Sequence, residues 1–318
     1  MSSALALRGY DAAWLKSTFL LGVDLTLDDG TAYPDVVFED ALAQAERAIG
    51  DELGLTLAPQ VIRERQDREP GLSAGWYPIR TRHRPLIEVQ ELAVLYGRSV
   101  SRAILPATWA TIPEPMAGQI HIIPTTDGAA SYVISGGQPI ILGFGGMSGV
   151  DPYIPAYFEI TYSAGFPLYT GAATIPAGAL SVEAPIGRAF QDIYSASAST
   201  GATVSAKGFE SLTLTRTGAS TAAPLAVTWT VDTLPAPIVR AVGLQGASLA
   251  LNIAGDLIAG AGIAQQSQGI DGLSQSIATT ASATNAGYGA RLGQFEKELK
   301  ALMKTLKATY RAFNIAAL

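Results

Sequence analysis

The chain has 318 residues, of which 48% are hydrophobic and only 15% are charged, and its net charge at pH 7 is −6. The charged share is well below the usual quarter or so of a soluble domain. This favours a surface partly buried against other subunits over a β-rich module with Ser, Thr and Gly turns. The absence of cysteine excludes disulfides and thiolate metal sites. Signal-peptide features and a span of roughly 20 apolar residues are both lacking, so we expect a soluble protein assembled in the cytoplasm without a membrane partner.

The charge is distributed unevenly along the chain. Residues 286–318 carry a net charge of +4, whereas residues 1–285 carry −10. A basic tail on an acidic body predicts that the tail docks on an acidic partner, such as a neighbouring copy of the chain. The acidic body also argues against nucleic-acid binding there, because such binding is dominated by neutralisation of phosphates.

The N-terminal part is predicted to form two helices. A short helix follows Asp11 as its N-cap, and a longer one runs from Pro34 to Leu53, with Gly54 just after its end. Apolar residues of the longer helix recur at spacings of three and four and predict one buried face, formed by Phe38, Leu42, Ala45, Ile49 and Leu53. The run 61–71 mixes Arg with Glu and Asp. We interpret it as a solvated or interface segment with ion pairs rather than a phosphate site.

Residues 76–164 have the pattern of strands. Segments rich in Ile, Val and Leu, separated by Gly and Pro, predict about six short strands and favour a β-sandwich or small barrel. These segments are 76–97, 109–113, 119–124, 131–135, 139–146 and 155–165. Residues 166–233 are mixed: we expect a short helix over 183–199, with Pro185 near its start, and a hairpin of two strands, 211–218 and 225–231.

After Pro235 the pattern returns to helix. A broad apolar face is formed by Ile238, Val242, Leu249, Ile253 and Leu257. Gly243, Gly246 and Gly255 weaken an isolated helix by about 1 kcal/mol each. They are tolerable if another backbone packs closely at those positions.

Residues 260–289 form a nearly uncharged segment rich in Gly, Ser, Ala and Thr, followed by a basic helix. The apolar residues of this segment are too many for a free linker, so we expect it to lie ordered on a neighbour; they are Ile263, Ile270, Leu273, Ile277 and Tyr288. The apolar residues of the last helix form a heptad seam of Leu292, Phe295, Leu299, Leu302, Leu306, Tyr310 and Phe313. We expect this helix to dock between chains; packing on its own domain is the alternative.

The sequence offers no recognisable catalytic motif. The two histidines, His83 and His121, do not have the spacing of a metal site. The glycine-rich run 143–149 is not a phosphate-binding motif, and Asp28 and Asp29 have no third acid placed to complete a cation site. We therefore predict no catalytic, cofactor-binding or metal-binding residues and do not expect an enzyme; a carboxylate hydrolase is the weakest alternative.

Three stretches together suggest a family. Residues 15–55 combine a short helix, an acidic turn and a long helix; 82–97 and 157–167 are a strand pair; and 251–310 place the small-residue segment before the basic helix. Together they resemble the head-to-tail connector, or adaptor, proteins of tailed bacteriophages, and 251–310 is similar to a subset from large contractile-tailed phages. The resemblance covers residues 10–165 and 234–310, whereas 168–233 departs from it.

The resemblance implies a structural protein of the virion neck. Copies of the chain, usually twelve, would form a ring around a channel through which DNA passes without specific binding. The C-terminal segment would bind the portal protein, and the opposite face would receive the downstream neck or tail-terminator protein. Rings of this kind use two different surfaces of each subunit, and an acidic lumen would let DNA slide.

The residues expected to bind partners lie in the neutral segment and the last helix. Ile270, Asp271, Gly272 and Leu273 belong to the neutral segment, and Leu292, Phe295, Leu299, Leu302, Leu306 and Tyr310 would dock through apolar contacts. Lys297, Lys300, Lys304 and Lys307 would make electrostatic contacts with the portal or the adjacent subunit.

The predicted fold is α+β. A helical core would comprise residues 1–75 and 234–259, with an inserted or mounted antiparallel β-sandwich-like domain at 76–165 and a mixed elaboration at 166–233. Residues 260–318 would be an extended strap ending in a docking helix. The alternative function is a receptor- or carbohydrate-binding β-sandwich of a tail or baseplate, with Trp76, Tyr77 and Trp109 as its aromatic platform.

Overall fold

The structure, a computed structural model, has the predicted α+β class, with helices and antiparallel sheets. It describes residues 3–26, 30–67, 79–96, 101–122, 155–186, 193–208, 211–218, 223–259, 265–270, 273–278 and 288–315. The chain divides into two compact units. The helical unit joins residues 1–57 to residues 234–316, and the β unit comprises residues 58–233. The chain thus leaves the helical unit at 57, before the charged run, rather than at the predicted residue 75.

The helical unit contains four helices in the described residues: α1 (Ala12–Thr18), α2 (Asp35–Leu53), α3 (Ala236–Ala259) and α4 (Gly289–Ile315). The Asp11 carboxylate accepts a hydrogen bond from the Trp14 amide at 2.9 Å, which confirms it as the N-cap of α1. Pro34 immediately precedes α2 instead of opening it. Gly54 ends α2 with φ of +66°, a left-handed conformation that favours glycine.

Helix α3 packs against both α2 and α4 and forms the centre of this unit. The predicted apolar face of α2 is confirmed, because all five of its residues are buried. A Cβ atom at Gly243 would overlap the Phe19 ring and lie 2.9 Å from Trp14 Cη2, and one at Gly246 would lie 3.1 Å from Leu42 Cδ2. Because Gly243 and Gly246 have no side chain, Trp14, Phe19 and Leu42 pack directly against the backbone of α3.

The apolar face predicted for α3 is partly wrong. Ile238 and Val242 are buried as expected, but Leu249 is half-buried and Ile253 is 44% exposed. The buried residues of α3 extend to other sides of the helix, because it packs against both α2 and α4; they include Ala241, Leu244, Ala247 and Leu251. For Gly255 and Leu257 the structure describes only their place in the helix.

The neutral segment contains a β-hairpin that the sequence analysis did not predict. Strands β14 (Gln265–Ile270) and β15 (Leu273–Ala278) pair antiparallel, with Gln265 opposite Ala278 and Ile270 opposite Leu273. The described part of the segment is thus paired with itself rather than extended. Its other residues, 260–264, 271–272 and 279–287, which include Ile263, lie outside the described set.

The first part of the β unit contains two antiparallel sheets around one core. Strands β1 (Gln60–Asp67), β3 (Leu86–Tyr96), β4 (Ser101–Leu105) and β7 (Pro155–Ala164) form a sheet in the order β1-β7-β3-β4. Strands β2 (Ile79–Arg80), β5 (Ala110–Thr111) and β6 (Gln119–Ile122) form a smaller sheet in the order β2-β6-β5. Leu92, Trp109, Ile120, Ile160 and Tyr162 are among the residues of their shared core. The predicted strands at 131–135 and 139–146 lie outside the described residues.

The second part of the β unit is a small sandwich. Its strands are β8 (Leu168–Ile175), β9 (Ser181–Pro185), β10 (Ser195–Ala198), β11 (Ala202–Lys207), β12 (Ser211–Arg216) and β13 (Leu225–Asp232). They form two three-stranded sheets, β10-β13-β8 and β11-β12-β9, which share a core containing Ile175, Leu212, Val227 and Trp229.

Two predictions for this region are wrong. The strands at 211–218 and 225–231 exist, but they do not pair as a hairpin: β12 pairs with β9 and β11, whereas β13 pairs with β8 and β10. The helix expected over 183–199 is replaced by the end of β9 and by β10 in its described residues. Alternating exposed and half-buried small residues in β10 fit a strand, with a period of two.

Gly243→Ala should destabilise the helical unit, because the added methyl group would overlap Phe19 and crowd Trp14. We expect a loss of about 1–3 kcal/mol in the free energy of unfolding, as for other overpacked sites. Gly293→Ala in α4 is the matched control, since a Cβ there meets nothing within 4 Å; it should stabilise the protein by up to about 1 kcal/mol. Urea unfolding followed by circular dichroism would measure both, and equal effects would contradict the packing described for α3.

Candidate functional site

The apolar seam of α4 is part of the core of the helical unit. Leu292, Phe295, Leu306 and Tyr310 are buried, with exposures of 2–8%, while Leu299 and Leu302 are half-buried. Met303, which the predicted seam omitted, is buried as well. The helix packs on α3 and α2 of its own chain. In this structure these side chains are therefore not a free docking surface. Their position agrees with the alternative expectation, that the last helix packs on its own domain. The side chain of Phe313 lies outside the described set.

Polar contacts fix the first turns of α4 to the N-terminal region. Arg291 donates hydrogen bonds from its guanidinium to the Phe19 carbonyl at 2.9 Å and the Leu21 carbonyl at 3.0 Å. The Tyr288 hydroxyl donates to the Asp24 carbonyl at 3.0 Å, and burial raises the pKa of this tyrosine. The Phe19 and Phe295 rings meet edge to face, with centroids 6.4 Å apart.

Two ion pairs connect α4 to the other long helices. Arg240 of α3 donates from Nε to Glu298 Oε1 at 2.6 Å. Lys307 Nζ pairs with Glu52 Oε1 near the end of α2. Together with the seam and the contacts of Arg291, these pairs hold α4 in one orientation, so the face that it presents to solvent is defined.

That solvent face carries a lysine stripe, which we define as Lys297, Lys300 and Lys304. All three are exposed, and Lys307 continues the same spacing but is half-buried in its pair with Glu52. Spacings of three and four residues place them on one side of the helix, opposite the buried seam. Three of the four lysines predicted to make electrostatic contacts are therefore exposed in this structure, whereas the apolar α4 residues of the predicted site pack within the chain.

The outer side of α2 carries charge of the opposite sign. Its exposed acids are Asp35, Glu39, Asp40, Asp51 and Glu52, with Arg47 as the one exposed base of this helix. Asp35 pairs with Lys16 at 2.6 Å and Glu52 pairs with Lys307. We call Glu39, Asp40 and Asp51 the acidic face. No charged surface was predicted here from the sequence, although acids placed away from the apolar residues of α2 were a signal for one.

Two of the neutral-segment residues of the predicted site lie in the hairpin. Ile270 and Leu273 are opposite each other at the ends of β14 and β15, and Asp271 and Gly272 lie outside the described residues. An Asp-Gly pair between apolar residues is the strongest short-range signal for a two-residue hairpin loop. This signal was present in the sequence, but no hairpin was predicted from it.

The β unit buries two carboxylates on the sheet that contains β1 and β7. Glu64 is 7% exposed and accepts hydrogen bonds from the Tyr162 hydroxyl at 2.6 Å, from Gln66 at 2.8 Å and from the Arg82 amide at 3.2 Å. Residues 61–67 of the charged run are thus part of a strand with a buried acid. Burial, followed by the hydrogen bond to Glu64, raises the pKa of Tyr162, so the phenol stays protonated and acts as the donor.

The second buried carboxylate, Glu159, is bound by two arginines. Arg63 donates to its Oε1 at 2.6 Å and Arg65 to its Oε2 at 3.3 Å. The hydrogen bond and charge of Glu159 raise the pKa of Arg63. Ion pairs were predicted for this run, but their partner lies on β7 rather than within the run itself. Tyr162 on β7 binds Glu64, and Arg63 and Arg65 on β1 bind Glu159, so each carboxylate ties β1 to β7.

Other residues named from the sequence do not assemble a site in the described parts of the structure. Trp109 is 2% exposed in the core of the β unit, so it cannot belong to a surface platform, while Trp76 and Tyr77 lie outside the described residues. Asp28, Asp29 and the run 143–149 also lie outside them. Among the described side chains, no group of three or more His, Cys, Asp or Glu residues could hold a metal ion. No described helix is long and apolar enough to cross a membrane.

Comparison with known proteins identifies no family. No protein-family model matches the chain, and no curated protein matches it at a significant level.

Leu306→Ala should destabilise the helical unit by about 2–5 kcal/mol, because it removes a buried side chain from the seam. Lys304→Ala, two residues earlier on the solvent face, should change the free energy of unfolding by no more than about 0.5 kcal/mol. Chemical denaturation of both variants would measure the difference. A small effect of Leu306→Ala would show that the seam is not core, and would restore it as a docking surface.

The stability of the β unit should fall as the pH rises above 10.0, the ordinary pKa of tyrosine. The unfolded phenol of Tyr162 ionises there while the folded phenol keeps its proton, so stability present at lower pH is lost on the alkaline side. Tyr162→Phe should lower stability by about 1–3 kcal/mol at neutral pH, since Glu64 loses a donor. The stability of this variant should fall less than that of the wild type as the pH rises above 10.0.

Thermal unfolding as a function of pH would test this expectation. The pKa of Tyr288 is also raised, but that residue is present in both proteins and contributes equally to their alkaline decline. Identical pH profiles for the wild type and Tyr162→Phe would contradict the role of the buried phenol.

Proposed function

We propose that the protein is a structural adaptor in the neck of a tailed bacteriophage. It would form a ring between the portal and the downstream neck or tail proteins, with DNA passing through the central channel. This role is structural rather than catalytic. It rests on the resemblance of residues 15–55, 82–97, 157–167 and 251–310 to connector proteins, since the comparisons with known proteins supply no family.

The observation that carries the proposal is the construction of the helical unit. Both ends of the chain meet in it, and α4 uses one side as core and presents the lysine stripe on the other. An element that is fixed to its own subunit by Arg291, Arg240 and Lys307 can transmit a contact from one subunit to another without unfolding. That property suits a protein which must hold two parts of a particle together.

The low charge content and the acidic net charge are consistent with this role. A subunit in a ring buries two different surfaces against its neighbours, which reduces the need for charged residues on them. A net charge of −6 disfavours adhesion of the ring to the phosphates of the DNA inside it.

The chain's own α4 must remain in place in any test of portal binding. Its seam is core, so removal of residues 286–318 would expose α3 and disturb the whole unit. Substitutions on the solvent face of α4 are the better test, because they change the surface without removing buried apolar groups.

We expect the purified protein to bind portal rings of the same phage and to cap them with one further ring. Co-sedimentation with portal rings, followed by negative-stain electron microscopy, would measure both binding and geometry. A stripe variant of wild-type stability, Lys297→Ala with Lys300→Ala and Lys304→Ala, shows whether the solvent face of α4 contributes. A wild-type protein that neither co-sediments with portal rings nor adds density to them would contradict the proposed function.

A further inference from the structure

We infer that the lysine stripe of α4 docks on the acidic face of α2 in a second copy of the chain, so that copies join head to tail. The inference deepens the proposed function, because it names the contact between neighbouring subunits of the ring. It can be tested on the protein alone, without the portal, and its success or failure is separate from portal binding.

The charges within the helical unit are segregated by sequence and by surface. Residues 1–57 contain ten acidic and three basic residues, whereas residues 286–318 carry a net charge of +4. In the structure this difference appears as two exposed faces of opposite sign on α2 and α4. Opposite charges on two different surfaces of one molecule favour heterologous contacts between copies and steer their encounter.

The charges on both faces do not take part in the ion pairs that the described residues form within the chain. Lys16 pairs with Asp35, and Lys307 pairs with Glu52. None of the three lysines of the stripe, and none of the three acids of the acidic face, forms an ion pair with a described residue. Each face therefore has three charges at the disposal of another molecule.

Among the described residues of one chain, no ion pair joins the stripe to the acidic face. The buried seam of α4 faces α3 and α2, and the stripe lies on the opposite side of the helix. The acidic face likewise lies on the exposed side of α2, away from Phe38 and Ile49 in the core. Both faces are exposed, so each of them is open to a second molecule.

Residues of the opposite sign also match across the two faces. Exposed Arg47 lies between Asp40 and Asp51 on α2, and exposed Glu296 precedes the stripe on α4. Glu296 beside the lysines of α4 and Arg47 among the acids of α2 would form a further ion pair across the contact, with the acid on α4 and the base on α2. Lys297 to Lys304 spans about 10 Å of helix, and Asp40 to Asp51 spans about 16 Å, so the stripe fits within the acidic face.

A complementation experiment tests this interface directly. One variant reverses the stripe (Lys297→Glu, Lys300→Glu and Lys304→Glu), and the other reverses the acidic face (Glu39→Lys, Asp40→Lys and Asp51→Lys). In each variant alone the two faces have the same sign, so self-association should weaken by at least about tenfold. In an equimolar mixture every reversed face meets one of opposite sign, and association should return.

Sedimentation velocity measures the association of the wild type, each variant and the mixture. The wild type should associate at low salt and dissociate towards monomer near 1 M salt, where the Debye length is about 3 Å. The triple variant Lys297→Arg, Lys300→Arg and Lys304→Arg keeps the charge and should behave like the wild type. Circular dichroism establishes that each variant is folded.

Three results would overturn the inference: a wild type that remains monomeric at low salt, reversal variants that associate like the wild type, or a mixture of folded variants that does not recover association. If a reversal variant fails to fold, the salt dependence of the wild type and the neutral variant Lys297→Gln, Lys300→Gln and Lys304→Gln decide the question. Undiminished association of that neutral variant would also contradict the interface. If the wild type binds duplex DNA and does not bind itself, the stripe is a phosphate-binding surface instead.

Discussion

The packing of α4 against α3, with Phe19 and Trp14 seated at Gly243, is the contact on which the helical unit depends. It joins residues 1–57 of the chain to residues 234–316, although the whole β unit separates them in sequence. Apolar burial supplies the stabilisation, since side chains such as Phe295 and Leu306 contribute roughly 2–5 kcal/mol each when truncation is the measure. The hydrogen bonds of Arg291 and Tyr288 add direction, because they fix α4 to carbonyls of the N-terminal segment.

This packing determines which surface remains for partners. A helix with its apolar side buried in its own unit can offer only its polar side, and in α4 that side is the lysine stripe. The acidic face of α2 follows from the same arrangement, because α2 also turns its apolar residues towards α3. The β unit is stabilised differently: buried Glu64 accepts a hydrogen bond from Tyr162 on β7, and buried Glu159 accepts one from Arg63 on β1. The contact that we infer between copies lies in the helical unit.

Periodicity predicted most of the described elements, but it missed strands such as β10 and the hairpin of β14 and β15, and it predicted the partners of the elements poorly. The face of α2, the cap at Asp11 and the strands of residues 76–164 that are described followed from local rules, because spacing and capping act within a few residues. The pairing of β12 with β9 and β11 could not be read locally, since sheet partners are set by tertiary packing. A heptad seam looks the same whether it docks on another chain or on its own, which is why the buried position of Leu292 and Phe295 was not the preferred prediction. Glu64 shows the same limit: a charged run gives no sign that one of its acids faces a tyrosine 98 residues away.

Disulfide cross-linking tests the central claim, the contact between α4 and α2 of neighbouring copies, most directly. The chain has no cysteine, so Lys300→Cys combined with Asp40→Cys introduces the only two thiols, one on each face. Under mild oxidation the account predicts a ladder of covalent multimers that reaches closed rings and disappears on reduction, whereas each single variant stops at dimers. A double variant that remains monomeric, or that forms no species beyond the dimers of the single variants, would contradict the account.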